Sequence, residues 1–284
     1  MSPHGLSAPY RMKGPSALGG DWRRMVNLAV TLSFTDYKLR FFGSVLGYFW
    51  TLARPLLLFG ILYAVFSQVL DVDAGVEFYP VMLLMGLMLY QFFAEATGGA
   101  VTSVVDREGL VRKIHFPRMI IPLSVSLTAM FNLATNMIAV FFFLWLSGVE
   151  LRWTWIELPA LVLLLLIFAS GIGMLLSALY VPFRDVRPIW EVVLQALFYA
   201  SPVLYPIELL AAESKTLAEI SICNPLAAII QQMRYALIDA DAASAGDAIG
   251  SYPMLLVPLG LIAATFLLGL WVFNRMAPRI AEEL

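Results

Sequence analysis

Charge is scarce in this chain, and that scarcity indicates the class of protein. Only 13% of the 284 residues are charged and 61% are hydrophobic, with a mean hydropathy of +0.82. Soluble globular domains carry about 25% charged and about 45–50% apolar residues. The composition therefore predicts a protein that crosses a membrane several times. The net charge of -2 says nothing about partners, because the uneven distribution of charge lies in the loops.

Residues that carry common catalytic chemistry are also scarce. The single Cys223 excludes an intrachain disulfide, and the two histidines, His4 and His115, do not form the H-E-x-x-H pattern of zinc proteases. The chain has no G-x-S-x-G nucleophile elbow and no G-x-x-x-x-G-K-[ST] loop for ATP phosphates. We therefore predict no catalytic residues, no metal site and no ATP site in this chain.

Six apolar runs are long enough to cross a bilayer, which takes about 20 helical residues. The predicted spans are residues 50–70, 80–103, 119–147, 158–180, 188–206 and 253–274. Most of the 18 Lys and Arg residues fall before the first run, in alternate loops and after the last run. Positive loops stay in the cytoplasm, so both termini are predicted to be cytoplasmic.

Two different segments precede the first span. Residues 1–20 are polar and contain three prolines, which predicts a disordered tail and no cleavable signal peptide. Residues 21–34 place Met25 and Ala29 on one helical side and Arg23 on the other. This pattern is typical of an amphipathic helix in the headgroup plane. Thr35 and Asp36 are predicted to interrupt it.

The densest run of charge lies between the second and third spans, at residues 104–118. Asp106 can cap a short helix over 106–114, which Pro117 would end. Leu110 lies on the small apolar face of that helix, and its flanks are charged. Such a helix suits contact with a second protein, although a solvated loop that only sets topology is the alternative.

Polar side chains recur at membrane depth in the second and third spans. Gln91 and Glu95 share one helix face, as do Asn132 and Asn136, because each pair is four residues apart. Polar groups in a bilayer face a water-filled cavity or the protein interior, or they join helices by hydrogen bonds. Both interpretations remain open for these four residues.

The external segment 207–237 is too long for a turn and too polar for a span. It reads as two short helices, with Asn224 capping the second and Pro225 at its first position. The helices either dip partway into the membrane or lie on its outer surface. Three aromatic residues near its start suit an interfacial belt or a sugar-stacking surface: Phe198, Tyr199 and Tyr205.

Four stretches together resemble the membrane subunit of an ABC-2 type exporter of the polysaccharide-exporting branch. They are residues 36–50 (DYKLRFFGSVLGYFW) with Arg54-Pro55-Leu56, 112–118 (RKIHFPR), 183–187 (FRDVR), and 201–206 (SPVLYP) with Asn224-Pro225-Leu226. Their order and spacing span the chain from about residue 21 to its end.

The resemblance implies an all-α polytopic membrane protein. It would have six transmembrane helices, an N-terminal interface helix, a cytoplasmic coupling helix and external gate helices, with 21–284 forming one permease domain. The resemblance also implies a homodimer in the bacterial cytoplasmic membrane, paired with two P-loop subunits that use ATP and Mg. The cargo would be a lipid-linked polysaccharide such as an O-antigen, a teichoic acid or a galactan, and nucleic acid is not an expected partner.

Three groups of residues follow as candidate sites. The coupling helix would contact the ATPase through Asp106, Arg107, Glu108, Leu110, Arg112 and Lys113. Cations at the cytoplasmic rim would attract the lipid diphosphate: Arg40, Arg54, Arg184 and Arg187. The channel would be lined by Gln91, Glu95, Asn132, Asn136, Phe198, Tyr199 and Tyr205.

Two other functions remain as alternatives. An exporter of a drug or a free lipid would keep the same architecture. An intramembrane glycosyltransferase or acyltransferase would need acidic residues near the surface, which Asp71, Asp73 and Glu77 supply, and it would need no ATPase partner.

Overall fold

The computed structural model describes residues 22–41, 47–70, 76, 78–109 and 117–283, and every regular element in those ranges is helical. The α-helices are α1 Trp22–Phe41, α2 Gly47–Tyr63, α3 Tyr79–Asp106, α4 Ile120–Leu146, α5 Leu158–Tyr180, α6 Val186–Ala200, α7 Ile207–Glu213, α8 Lys215–Cys223, α9 Pro225–Leu237, α10 Ala245–Ala248 and α11 Leu256–Glu283. A π-helical segment, Ala64–Val69, extends α2. Short 3-10 segments, Trp153–Glu157 and Tyr252–Leu255, precede α5 and α11.

Five of the described helices are long and apolar enough to cross a membrane, as the composition predicts. They cover Phe49–Val69, Tyr79–Asp106, Ile120–Leu146, Trp153–Tyr180 and Tyr252–Ala277. In α3, 72% of the apolar window is buried inside the chain, against 11% in α2. The helix α3 is therefore the core of the bundle, and α2 lies on its outside.

The helices α5 and α11 run in the same direction. Their first turns line one cavity together, and their middles meet where Gly171 approaches Gly269. The start of α4 lies at the far end of both helices, because Arg118 donates to the carbonyl oxygen of Ala277 in α11.

The helix α3 points the same way as α5 and α11. Arg107, at its end, donates to the Ser124 hydroxyl near the start of α4 at 3.0 Å. The helix α2 runs with α4, since Phe59 packs edge-on against Phe143 near the end of α4, with ring centroids 5.7 Å apart. One end of the bundle thus holds the ends of α3, α5 and α11 together with the starts of α2 and α4.

The predicted fifth span is shorter than expected. The helix α6 ends at Ala200, and its 15 residues reach only about 22 Å, less than the roughly 30 Å of a hydrocarbon core. Residues 201–206, predicted to continue the span, form turns. Pro202 has no N–H to continue a helix, and Ser201 is extended, with ψ of 149°.

The turn after α6 lies deep inside the bundle. Val203 packs its backbone against Gly86, two turns into α3. The Tyr79 hydroxyl donates to the carbonyl oxygen of Leu204 at 2.7 Å, and the Asn224 amide donates to the Ser201 hydroxyl at 3.0 Å. Irregular backbone at such depth is tolerated where protein groups satisfy it.

The helix α9 begins at that buried turn. The Asn224 side chain accepts from the backbone N–H of Leu226 at 3.1 Å, which confirms the predicted cap, and Pro225 occupies the first position. Nearly all of α9 is buried, so it lies inside the bundle rather than on an outer surface. The predicted helix before it is two helices, α7 and α8, which meet at Ser214.

The helix α1 is longer than the predicted 21–34. It continues through Thr35 and Asp36 without the expected interruption. The Thr35 hydroxyl donates to the Thr31 carbonyl oxygen at 2.7 Å, so it is satisfied within the helix. Met25 and Ala29 are buried, as the amphipathic pattern predicts.

Candidate functional site

A cavity of about 1040 Å³ opens between α2, α3 and α4, beside the end of α1. It brings together six residues that the sequence assigned to two separate groups, the rim and the channel. These residues are Arg40, Arg54, Gln91, Glu95, Asn132 and Asn136. Arg54 comes from α2, one polar pair comes from α3 and the other from α4. The two residues of each pair face the cavity together because they are spaced by one helical turn.

Glu95 is the centre of the polar contacts in this cavity. The Arg40 guanidinium forms an ion pair with it, and the Asn132 amide nitrogen donates to the same carboxylate oxygen at 2.7 Å. The Glu95 side chain is about one-quarter exposed. It therefore both joins α1, α3 and α4 and faces the cavity, so the two interpretations of these polar residues are compatible.

Two buried amide oxygens beside the cavity lack donors. Asn132 and Asn136 are 8% and 5% exposed, and neither Oδ1 atom has a hydrogen-bond partner within the described residues. A buried acceptor without a donor is unusual and calls for a water or a ligand hydroxyl. The two asparagines thus line the cavity with amide groups whose oxygen atoms are enclosed and unpaired among the described residues.

Arg54 supplies positive charge to the same cavity. It lies on α2, in the wall opposite α3, and its side chain is exposed. No carboxylate among the described residues forms an ion pair with it, whereas Arg40 is paired with Glu95. The cavity therefore combines available cationic charge with a wall of amide side chains, which suits an anion joined to a polyol.

The other two rim residues do not line this cavity. Arg184 stacks on the Tyr180 ring, with its guanidinium carbon 4.8 Å from the ring centroid. Arg187 pairs with Glu191 one turn further along α6, at 3.2 Å, and both side chains are exposed. These cations lie in and after the turn between α5 and α6.

The three aromatic residues form their own cluster at the far end of α6. Phe198 meets the Tyr90 ring edge-on at 4.8 Å, and it contacts Tyr199 at 5.3 Å. The Tyr205 hydroxyl donates to the Tyr199 carbonyl oxygen at 3.0 Å. None of the three lines the large cavity, so the structure divides the predicted channel residues into an amide group and an aromatic group.

The sequence predicts that Asp106 caps the coupling helix, but Asp106 is the last residue of α3, and its carboxylate accepts from the Thr102 hydroxyl one turn earlier at 2.6 Å. Arg107 forms an ion pair with Asp36 of α1. Glu108 also has a partner. Leu110, Arg112 and Lys113 lie outside the described residues.

A second cavity, of about 360 Å³, adjoins these contacts at the end of α1. Its lining includes Asp36, Arg40, Arg107 and Thr128. The Thr128 hydroxyl, in α4, also donates to the Ser33 carbonyl oxygen at 3.2 Å. The end of α1 is thus attached to both α3 and α4.

Three residues have roles in the structure that the sequence does not predict. Trp50 lines the large cavity, although it reads simply as the start of a span. Asp36 reads as a helix interruption, yet its spacing of four from Arg40 indicates a shared face. Arg118 is 6% exposed, and burial lowers the pKa of its guanidinium from the ordinary value. Nothing in the sequence distinguishes it from its neighbours in the charged loop.

Within the described ranges, no group of three His, Cys, Asp or Glu side chains is placed to hold a metal ion. The charged and amide side chains that line these cavities can form ion pairs and hydrogen bonds.

Comparison with known proteins supplies a family. Residues 28–238 match the model of the ABC-2 type transporter family. The chain is 31% identical over 262 residues to an O-antigen export system permease protein RfbA of Klebsiella pneumoniae, covering 92% of this chain and 96% of that protein. It is 28% identical over 203 residues to the protein of the same name from Myxococcus xanthus, covering 72% and 77%. It is 22% identical over 212 residues to the polysialic acid transport protein KpsM of Escherichia coli, covering 73% and 80%.

Proposed function

Because the chain belongs to the ABC-2 type transporter family, we propose that it is the membrane subunit of an ATP-driven exporter of a lipid-linked polysaccharide. The relatives that it matches over most of its length are named for O-antigen export and polysialic acid transport. The sequence has no phosphate-binding loop of its own. A separate P-loop subunit would therefore bind ATP and Mg and drive transport.

The observation that carries this proposal is the composition of the large cavity. Arg54 and Arg40 supply the planar, always charged groups that bind phosphate well. Asn132 and Asn136 place unpaired amide oxygens in the wall beside them, and a rotation of these side chains toward the cavity would let sugar hydroxyls donate to them. A diphosphate joined to a sugar carries both chemistries in one molecule. A drug or a free lipid would make no use of the buried amides, which favours the glycan.

The export cycle follows from the position of this cavity. The headgroup binds at the cavity, near the bundle end that holds the cationic loops. ATP binding by the partner subunits moves the loop 104–118, and two copies of the chain shift as rigid bodies. The glycan then passes between the copies toward the aromatic cluster, and residues 207–237 act as an external gate.

The proposed location is the bacterial inner membrane, with both termini in the cytoplasm. The excess of Lys and Arg in one set of loops supports this orientation. The uncovered outer faces of α2 and α6 are available to a second copy and to lipid.

Replacing Arg54 by Gln tests the headgroup site. We expect the variant to bind the lipid-linked glycan at least about tenfold more weakly, because a hydrogen bond to a charged group contributes about 1.5–3 kcal/mol. The measurement is equilibrium binding to the purified complex in nanodiscs.

The matched control is Arg275→Gln, which removes an equal charge outside the cavity, where Arg275 lies against the Trp271 ring. Its affinity should equal that of the unmodified protein. Equal affinities for all three proteins would refute the headgroup role of Arg54.

A further inference from the structure

We propose that Asp36 is a movable counter-ion of Arg40, and that its ion pair with Arg107 at the end of α3 holds it away. That ion pair would then set the affinity of the large cavity for phosphate. This inference rests on the proposed function, in which Arg40 and Arg54 bind the diphosphate. It adds a way for a movement of the end of α3 to release the substrate.

The first step is that Asp36 and Arg40 lie on the same face of α1. They are four residues apart in one continuous helix, and both line the second cavity together with Arg107. An acidic residue one turn before a basic residue is the favourable order for an ion pair along a helix. Yet Asp36 bonds to Arg107 and Arg40 bonds to Glu95.

The second step is that Arg107 is placed to respond to a movement of the end of α3. It is the residue that follows the last turn of α3, and its side chain bridges Asp36 of α1 and Ser124 of α4. A displacement of the end of α3 therefore pulls on this bridge and is transmitted to α1.

The third step is a count of charge around the two cavities. With Arg107 docked, the two cavities hold three arginines and two carboxylates, which leaves one excess positive charge for an anion. The arginines are Arg40, Arg54 and Arg107, and the carboxylates are Asp36 and Glu95. With Arg107 withdrawn, two arginines and two carboxylates remain, so the net charge of these groups is zero.

Asp36, whose side chain is about one-quarter exposed, then lacks its partner. The cation one turn further along the same face of its helix is Arg40. Asp36 and Glu95 would then both compete with phosphate for Arg40, and phosphate binding weakens.

A binding experiment on the full chain tests this competition without the partner subunit. The chain is placed in phosphatidylcholine nanodiscs, and equilibrium binding of geranylgeranyl diphosphate is measured against geranylgeraniol, which lacks the phosphates. We expect Arg107→Gln to weaken diphosphate binding about fivefold or more, the usual range for coupled sites. In an Asp36→Asn background the same Arg107→Gln change should have a much smaller effect, because the carboxylate that Arg107 holds away from Arg40 is gone and only Glu95 remains beside Arg40.

Two further variants separate competition from simple loosening of α1. Tyr37→Phe removes the 3.0 Å hydrogen bond to Thr135 between α1 and α4 without altering charge, and it should leave the affinity unchanged. Arg107→Lys keeps the positive charge and should restore most of the affinity.

Three outcomes would overturn the inference. An equal loss from Arg107→Gln in both backgrounds, or a comparable loss from Tyr37→Phe, would show that Arg107 only supports the fold. Either result leaves the proposed function intact. If the unmodified chain does not prefer the diphosphate over the alcohol, the headgroup site itself is wrong, and the inference fails with it.

Discussion

At the scale of single residues, Asn136 combines a structural cost with an opportunity for binding. Its amide oxygen is buried at the edge of the large cavity and has no donor among the described residues. Leaving a buried acceptor unsatisfied costs about 1–3 kcal/mol. Proteins commonly tolerate such costs at binding sites, where stability and activity oppose each other.

Asn136→Leu separates these two effects. Leucine has a similar branched shape and no acceptor, so we expect the free energy of unfolding to rise by about 1 kcal/mol. We expect export of the glycan to fall. Thermal unfolding of the purified protein in detergent and the amount of polysaccharide exported by cells are the two measurements. A less stable variant would instead show that the Asn136 amide joins helices.

Sequence spacing predicts some of this site and misses the rest. A separation of four residues is enough to place Gln91 with Glu95, and Asn132 with Asn136, on shared helix faces. The pairing of Glu95 with Arg40 joins residues 55 positions apart. It depends on how α1 lies against α3 and α4, and short-range periodicity carries no information about that packing.

At the scale of helices, the crossing of α5 and α11 depends on glycine. A Cβ atom on Gly171 would lie 2.6 Å from the Cα atom of Phe266, and one on Gly269 would overlap the carbonyl oxygen of Gly171. Backbone atoms cannot turn aside as a flexible side chain can. Small residues at membrane helix contacts permit this close approach.

Gly269→Ala is therefore expected to destabilise the protein by about 3 kcal/mol or more, at the upper end for overpacked sites. The measurement is the unfolding temperature of the purified chain, together with its yield in membranes. Gly260→Ala is the matched control in the same helix, since a Cβ atom there meets nothing within 4 Å. That control should be neutral or gain about 0.5–1 kcal/mol from helix propensity. Equal behaviour of the two variants would contradict the close crossing.

Helix lengths show which membrane-spanning helices can be predicted from hydrophobic runs in the sequence and which cannot. The five long helices follow from apolar length alone, because each can satisfy its own backbone in a bilayer. The run at 188–206 is apolar enough for a sixth, but it breaks after Ala200. Hydropathy does not show that Tyr79 and Asn224 satisfy the turn that follows, so a buried turn and a span look alike in the sequence.

At the scale of the whole molecule, the parallel directions of α5 and α11 require the chain between them to cross the bundle once. This crossing is composite, because two shorter helices share it. The end of α5 and the start of α11 lie at opposite ends of the bundle, since these helices are parallel. The chain from 181 to 255 must therefore return across the bundle.

The helix α6 covers the first part of that return and ends at the buried turn. The helix α9 starts beside that turn and ends where Thr154 donates to the Ala236 carbonyl oxygen at 2.5 Å. Together they place α11 in the orientation that six crossings would give.

This composite crossing predicts which residues share a side of the membrane. In a Cys223→Ser background, single cysteines are introduced at Leu151, Asp241 and Gly109, which are all exposed. Right-side-out membrane vesicles are then treated with a membrane-impermeant maleimide. We expect Leu151→Cys and Asp241→Cys to react in intact vesicles, because both follow helices that end at the predicted external face. Gly109→Cys should react only after lysis, because it follows the end of α3 at the cationic face. If Asp241→Cys reacted together with Gly109→Cys, residues 181–237 would not return across the membrane, and an external gate at 207–237 would be impossible.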